Sequence, residues 1–183
     1  LSGASSENLV VPEESVLEPY STFLISNYAQ THESSVLGVT ANYTTTALSL
    51  SNSGFDIHLY DHDGTQVDSA GDGGAPFAGR SGGSQDTDDG RYRSMLRVDV
   101  NLDGSNKSVW MDAETSSGFK EEVLDFGTPG SIENWFVQTD EEIEASTNKT
   151  LVINEFVSDP LEDEEEWIEV VNQSDHVIYT TGW

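Results

Sequence analysis

The chain has 183 residues, with 34 Asp and Glu against 7 Lys and Arg, a formal net charge of −27, and no cysteine. That length suits one good core plus a short extra segment. The missing thiols exclude disulfides, a thiol nucleophile and thiolate metal sites, and so few cations argue against DNA or RNA as a partner.

Lysine occurs only at Lys107, Lys120 and Lys149, and such an acidic surface fits a salt-rich medium in which ions screen self-repulsion. No apolar run approaches the length of a membrane span. The chain opens at Leu1 without methionine or an export signal, which we read as a processed or excised segment.

Hydrophobic periodicity of two runs through most of the chain. Strands are expected at 22–28 and 46–51, and most clearly at 55–60, where Phe55, Ile57 and Leu59 alternate with Asp56, His58 and Tyr60. Asp61-His-Asp-Gly-Thr65 carries turn chemistry, and 66–69 reads as the returning strand. Gly71 to Gly90 is rich in Gly, Ser and Asp and reads as a long surface loop. Further strands are expected at 92–98, 108–113 and 121–126, then at 151–156, 166–172 and 176–180. Asp140-Glu-Glu-Ile-Glu-Ala145 is too short and too acidic for a stable helix. Many short strands between Gly, Asn, Asp and Pro turns define an all-β sandwich or barrel.

A change to polar, acidic residues marks 135–150 as a linker between 1–134 and 151–183, and the resemblance set out next implies that 1–134 is a sandwich lacking its first strands and 151–183 the opening strands of such a domain. Trp135 and Phe136 are read as a last strand, with a docking strip as the alternative. A sandwich without its first strands exposes unpaired backbone and an apolar groove, and an isolated strand pair has no sheet to bury against. Each defect remedies the other. Between chains the remedy is a head-to-tail contact that grows a filament; within one chain it is a closed permutant.

The residues that carry this order are specific enough to resemble a family. Val152-Ile-Asn-Glu155, Asp159-Pro160, Trp167-Ile-Glu169, Asn172-x-Ser-Asp175 and Gly182-Trp183 look like the opening of a lamin tail domain. Leu48-Ser-Leu-Ser-Asn-Ser-Gly54, Asp63-Gly-Thr65 and Val67-Asp-Ser69 look like its middle, and Gly127-Thr-Pro-Gly130 with Asn134 like its end. Val170-Val171 and Thr180-Thr181 depart from the pattern, and the order is permuted across the chain ends. The resemblance implies an immunoglobulin-like β-sandwich of the lamin-tail type, a binding or structural role, and no common catalytic apparatus.

The chemistry-bearing clusters have two readings each. Asp61 and Asp63, with His58, His62, Asp68 or Asp72 nearby, read first as a plain turn and alternatively as a Ca²⁺ site. Asp86, Asp88 and Asp89, and the run Glu162-Asp-Glu-Glu-Glu166, read as solvated acidic loops, the latter with cation binding between neighbours as its alternative. Gly79-Arg-Ser81-Gly-Gly83 matches a nucleophile elbow only by chance, since it lacks the strand and helix that motif requires. Glu155 and Glu169 fall on adjacent expected strands and suggest a carboxylate pair, but they belong to the structural motif of the family that the chain resembles, so hydrogen bonding at a sheet edge is preferred to acid–base work. Lys107 or Lys120 could form an isopeptide cross-link, although sequence selects no partner for either.

Asn42, Asn106, Asn148 and Asn172 head glycosylation sequons. The expectation is an extracellular, non-enzymatic subunit without a cofactor, Ca²⁺ apart. It joins head-to-tail to copies of itself through Ile153, Ile168, Val170 and Trp183, and a monomeric secreted binding module is the alternative.

Overall fold

The computed structural model describes residues 2–3, 9–79, 91–132, 150–158, 160 and 164–180. Eleven strands are named among them: β1 (Ser2–Gly3), β2 (Val16–Leu17), β3 (Thr22–Ser26), β4 (Tyr43–Thr44), β5 (Phe55–Tyr60), β6 (Gln66–Gly74), β7 (Met95–Arg97), β8 (Trp110–Asp112), β9 (Leu151–Val157), β10 (Trp167–Asn172) and β11 (Ile178–Tyr179). The helical element among the described residues is one 3-10 turn, Lys107–Val109, capped by the Asn106 side chain. The chain is an all-β sandwich, as its period-two patterning requires.

One sheet runs β1-β5-β6 and the other β4-β3-β10-β9-β7-β8, while β11 pairs with β2. All pairs are antiparallel except β3–β4. Phe55, Ile57, Leu59 and Ala70 of the smaller sheet face Phe23, Ile25, Met95, Ile153, Phe156, Ile168 and Val170 of the larger one. Phe156 stacks on Phe55 at 4.5 Å and meets the edge of Trp110 at 5.6 Å. Each such side chain buried contributes about 1.5–3 kcal/mol.

The strands expected to complete a neighbouring module are seated here in their own chain's sheet. β10 pairs with β3 and with β9, and β9 pairs with β7, so the 151–172 hairpin fills the middle of the six-stranded sheet. The 17 residues from 133 to 149 could reach roughly 55 Å if extended, far more than the ~10 Å between packed sheets. Closure within the chain is therefore sterically open. Most of the 135–150 linker, with Trp135 and Phe136, lies outside the described residues.

A β-bulge falls between Glu169 and Val170 of β10, where Glu169 pairs with Glu155 but Val170 already pairs with Ile153. Asn154 is the extra residue, and it switches the parity of β9. Leu151, Ile153 and Phe156 consequently all reach the inter-sheet core. The other face of the sheet is covered as well: Leu24, Leu37 and Trp167 form a second cluster with Phe119 and Val39, and Val100, Val152 and Val171 a third with Ile132. Every residue of β10 is buried, so its sequence carries no alternation.

Two expected strands take other forms. Residues 46–51 line the core through Leu48 and Leu50 without a ladder, and 121–126 is a turn ending in a single parallel bridge, Arg93 to Phe126.

Candidate functional site

The densest chemistry lies where the 151–172 hairpin meets the rest of the chain. Four of its glutamates point into the body and accept hydrogen bonds from backbone N–H groups. Glu155 accepts from the Thr128 N–H at 3.0 Å, the Thr128 hydroxyl at 2.8 Å, and the Ser94 hydroxyl. Glu165 accepts from the Val36 and Leu37 N–H groups at 2.9 and 3.2 Å, the Ser35 hydroxyl at 2.5 Å, and the Tyr28 N–H at 3.4 Å. Glu166 accepts from the Leu50 N–H at 2.8 Å, and Glu169 from the Gly130 N–H at 2.6 Å and the Asn154 amide at 2.8 Å. In the reverse direction, the Ile153 N–H donates to Asp68 at 2.9 Å.

This overturns the reading of 162–166 as a solvated loop for two of its members. Glu165 is fully buried and Glu166 partly so, because each satisfies N–H groups that the irregular segments 28–37 and 48–50 cannot satisfy in a ladder. Burial disfavours the ionised form of Glu166 and of Glu169. Glu166 is pushed up to about 7 by desolvation. Glu169 is pushed up to about 8, first by desolvation and then by the Glu155 charge opposite it.

A second polar centre ties the two sheets together. Arg97 and Asp68 are both completely buried and meet in a two-point contact. The Arg97 guanidinium also donates to the carbonyls of Leu102 at 2.6 Å and Asp99 at 3.2 Å, and lies over the Trp110 ring at 5.2 Å. The segment Asp99-Val-Asn-Leu-Asp103-Gly104 wraps around this one cation. Gly104 is required there, since an added Cβ would lie 1.8 Å from the Ser69 carbonyl oxygen. Our sequence reading missed this centre. An arginine between hydrophobic neighbours in Met95-Leu-Arg-Val98 was the available signal, because a charge on a buried strand needs a partner.

The candidate Ca²⁺ residues are not gathered. Asp61 folds its carboxylate back on the turn, accepting from the Asp63 and Thr65 N–H groups at 3.0 and 2.8 Å, and Gly64 supplies the positive φ of +76°. His58 contacts Asp56 and His62 contacts Asp63, while Asp72 bonds the Gly74 N–H at 2.9 Å and Asp68 belongs to Arg97. Among the described residues no group of three or more His, Asp or Glu side chains could hold a metal ion. Asp86, Asp88, Asp89 and Arg80–Gly83 lie outside the described residues.

The assembly anchors Ile153, Ile168 and Val170 are buried in the inter-sheet core of their own chain, and Trp183 lies outside the described residues. Of the sequons, Asn42 and Asn106 are exposed and Asn148 lies outside the described residues. Asn172 must be corrected. It is fully buried, and its amide donates to the carbonyls of Leu17, Glu18 and His176 at 3.2, 3.0 and 2.9 Å, leaving no room for a glycan in the fold. Lys120 donates to the backbone carbonyls of His32 and Ser35, and Lys107 is exposed on the 3-10 turn.

No family model matches the chain, and no curated protein or solved structure matches it significantly.

Proposed function

We propose that this chain is a self-closed, immunoglobulin-like sandwich module of an extracellular or cell-surface protein, binding a glycan or a protein rather than performing catalysis. The observation that carries this reading is the seating of β9 and β10 between β3 and β7 of their own chain. A module whose opening strands are already in place has no vacant groove to offer a neighbour. The net charge of −27 supports an external, salt-rich setting, and the lamin-tail-like motifs support a non-catalytic role.

One observation favours a second reading, a fibre or array built by head-to-tail strand complementation. The hairpin meets the body through glutamates and backbone N–H groups on either side of the 133–149 segment. Those contacts are the same whichever copy supplies the hairpin.

The cysteine-free sequence makes the test direct. Val16 and Tyr179 are register partners on β2 and β11, and both are exposed. The double variant Val16→Cys/Tyr179→Cys should close an intramolecular disulfide in a monomer. A mixture of the two single variants should give no cross-linked dimer beyond collision controls. Efficient dimer formation in the mixture, with concentration-dependent growth in sedimentation, would reverse the order of the two readings.

A further inference from the structure

Glu155 and Glu169 are cross-strand partners at the centre of the six-stranded sheet, and both are fully buried on its outer face. Two carboxylates directly opposite one another in an antiparallel pair repel, and repulsion is strongest where water is excluded. The pair nevertheless performs one shared task. Glu155 holds Thr128 by its N–H and hydroxyl, and Glu169 holds Gly130 by its N–H. Pro129, between them, has no N–H to offer. The strip Gly127-Thr-Pro-Gly130 is therefore hung on the sheet by these two side chains.

Among the described residues, the groups that bear on Glu169 come from β9, β3 and the strip. β9 contributes Glu155 and the Asn154 amide, β3 contributes Thr22 and, in register, Leu24, and the strip contributes Gly130. Among the described residues, Glu155 is the charged group acting on Glu169. Ser94 and Thr128 reach Glu155 with neutral donors.

We propose that Glu155 and Glu169 form a proton-dependent clasp, which holds the 127–130 strip on the sheet while the pair keeps one proton and releases it when that proton is lost. Loss of the proton leaves two buried charges facing each other across one strand pair. The arrangement relaxes most simply by letting water in, and the strip bonded to the pair has one exposed end: Gly130 is exposed, while Thr128 is covered. Glu169 is shifted to about 8, so the change falls in mildly alkaline solution. The raised folded-state value means the clasp is intact below it and opens as pH rises through it. Release would open the outer face to water at Glu155 and Glu169, while the clusters around Trp167 and Val152 stay covered and β5 and β6, in the other sheet, stay paired.

Carbon-detected NMR on the whole chain tests this without reliance on amide exchange. One carboxyl of the pair should titrate near pH 8. The α-carbon shifts of Thr128, Pro129 and Gly130 should move towards flexible-chain values with the same midpoint, and those of β5 should not. In Glu169→Gln the strip should keep its low-pH shifts up to pH 9.5. A wild-type strip that does not move between pH 6 and 9.5, or that moves equally in the variant, overturns the proposal. Were the variant unfolded, the wild-type titration alone would decide.

Discussion

Arg97 and Asp68 meet at 2.7 and 3.3 Å with neither side chain exposed, and the pair joins β7 of one sheet to β6 of the other. Attraction between buried charges is strong but is largely offset by the loss of hydration, so the pair specifies the fold more than it stabilises it. Removing one partner is a different matter.

Asp68→Asn or Arg97→Met leaves the other charge buried without its counter-ion, and should cost about 3–5 kcal/mol. Asp68→Asn also weakens the acceptor for the Ile153 N–H. The double replacement by apolar residues should cost less than the sum of the single changes. Urea titration of the three variants measures this, and strict additivity would contradict the pairing.

Ile153 lies in the core with no exposed surface. Ile153→Ala should cost about 2–5 kcal/mol, and Ile153→Asp should prevent stable folding because an unpaired carboxylate would sit between the sheets. Thermal melts followed by near-ultraviolet circular dichroism would show whether the loss is global.

Stability should fall on the alkaline side. Glu166 and Glu169 hold their protons more tightly when folded, at about 7 and about 8 against an ordinary value of 4.5. Their contribution is complete below 4.5 and is lost as pH rises through those two values. Melting temperature should therefore decline between pH 6 and 9, and more gently in Glu169→Gln. A rise over that interval would contradict the burial argument.

With a net charge of −27, added salt should stabilise the fold by screening repulsion among surface carboxylates. The melting temperature at molar NaCl should exceed that at millimolar salt by several degrees. Calcium at equal ionic strength should add nothing through Asp61 and Asp63, since the Asp61 carboxylate is committed to its turn.

Expression in a glycosylating host should load Asn42 and Asn106 ahead of Asn172, whose amide is enclosed by three carbonyls. Glycopeptide mass spectrometry of folded, secreted material measures this. Substantial occupancy at Asn172 would mean that its surroundings differ from those described.

The β5–β6 hairpin was legible in sequence because its strands are half-exposed, so alternation, turn residues and register point the same way. β10 falls within the strand expected at 166–172, but its burial on both faces is not legible there, since a strand covered on both faces shows no period. The Glu155–Glu169 pairing followed from adjacent strands, but the bulge that aligns it did not. Glu165 was read as solvated because its donors lie about 130 positions earlier, at Ser35, Val36 and Leu37. Those donors are mostly main-chain atoms, and main-chain donors leave no mark on composition. The Arg97 centre was hidden likewise, its carbonyl acceptors being common to every residue type.

Contacts made to N–H groups carry a consequence for how the protein tolerates change. The socket that receives the hairpin is read through the amides of Tyr28, Val36, Leu37, Leu50, Thr128 and Gly130; apart from Gly130, held at φ +79°, these donors survive side-chain replacement by any residue except proline. The body can thus drift in sequence around these points while its fit to the glutamates persists. The glutamates themselves have no such freedom. A shortened or uncharged side chain at 155 or 165 loses several acceptor contacts at once, so variation should accumulate on one side of this joint and be resisted on the other.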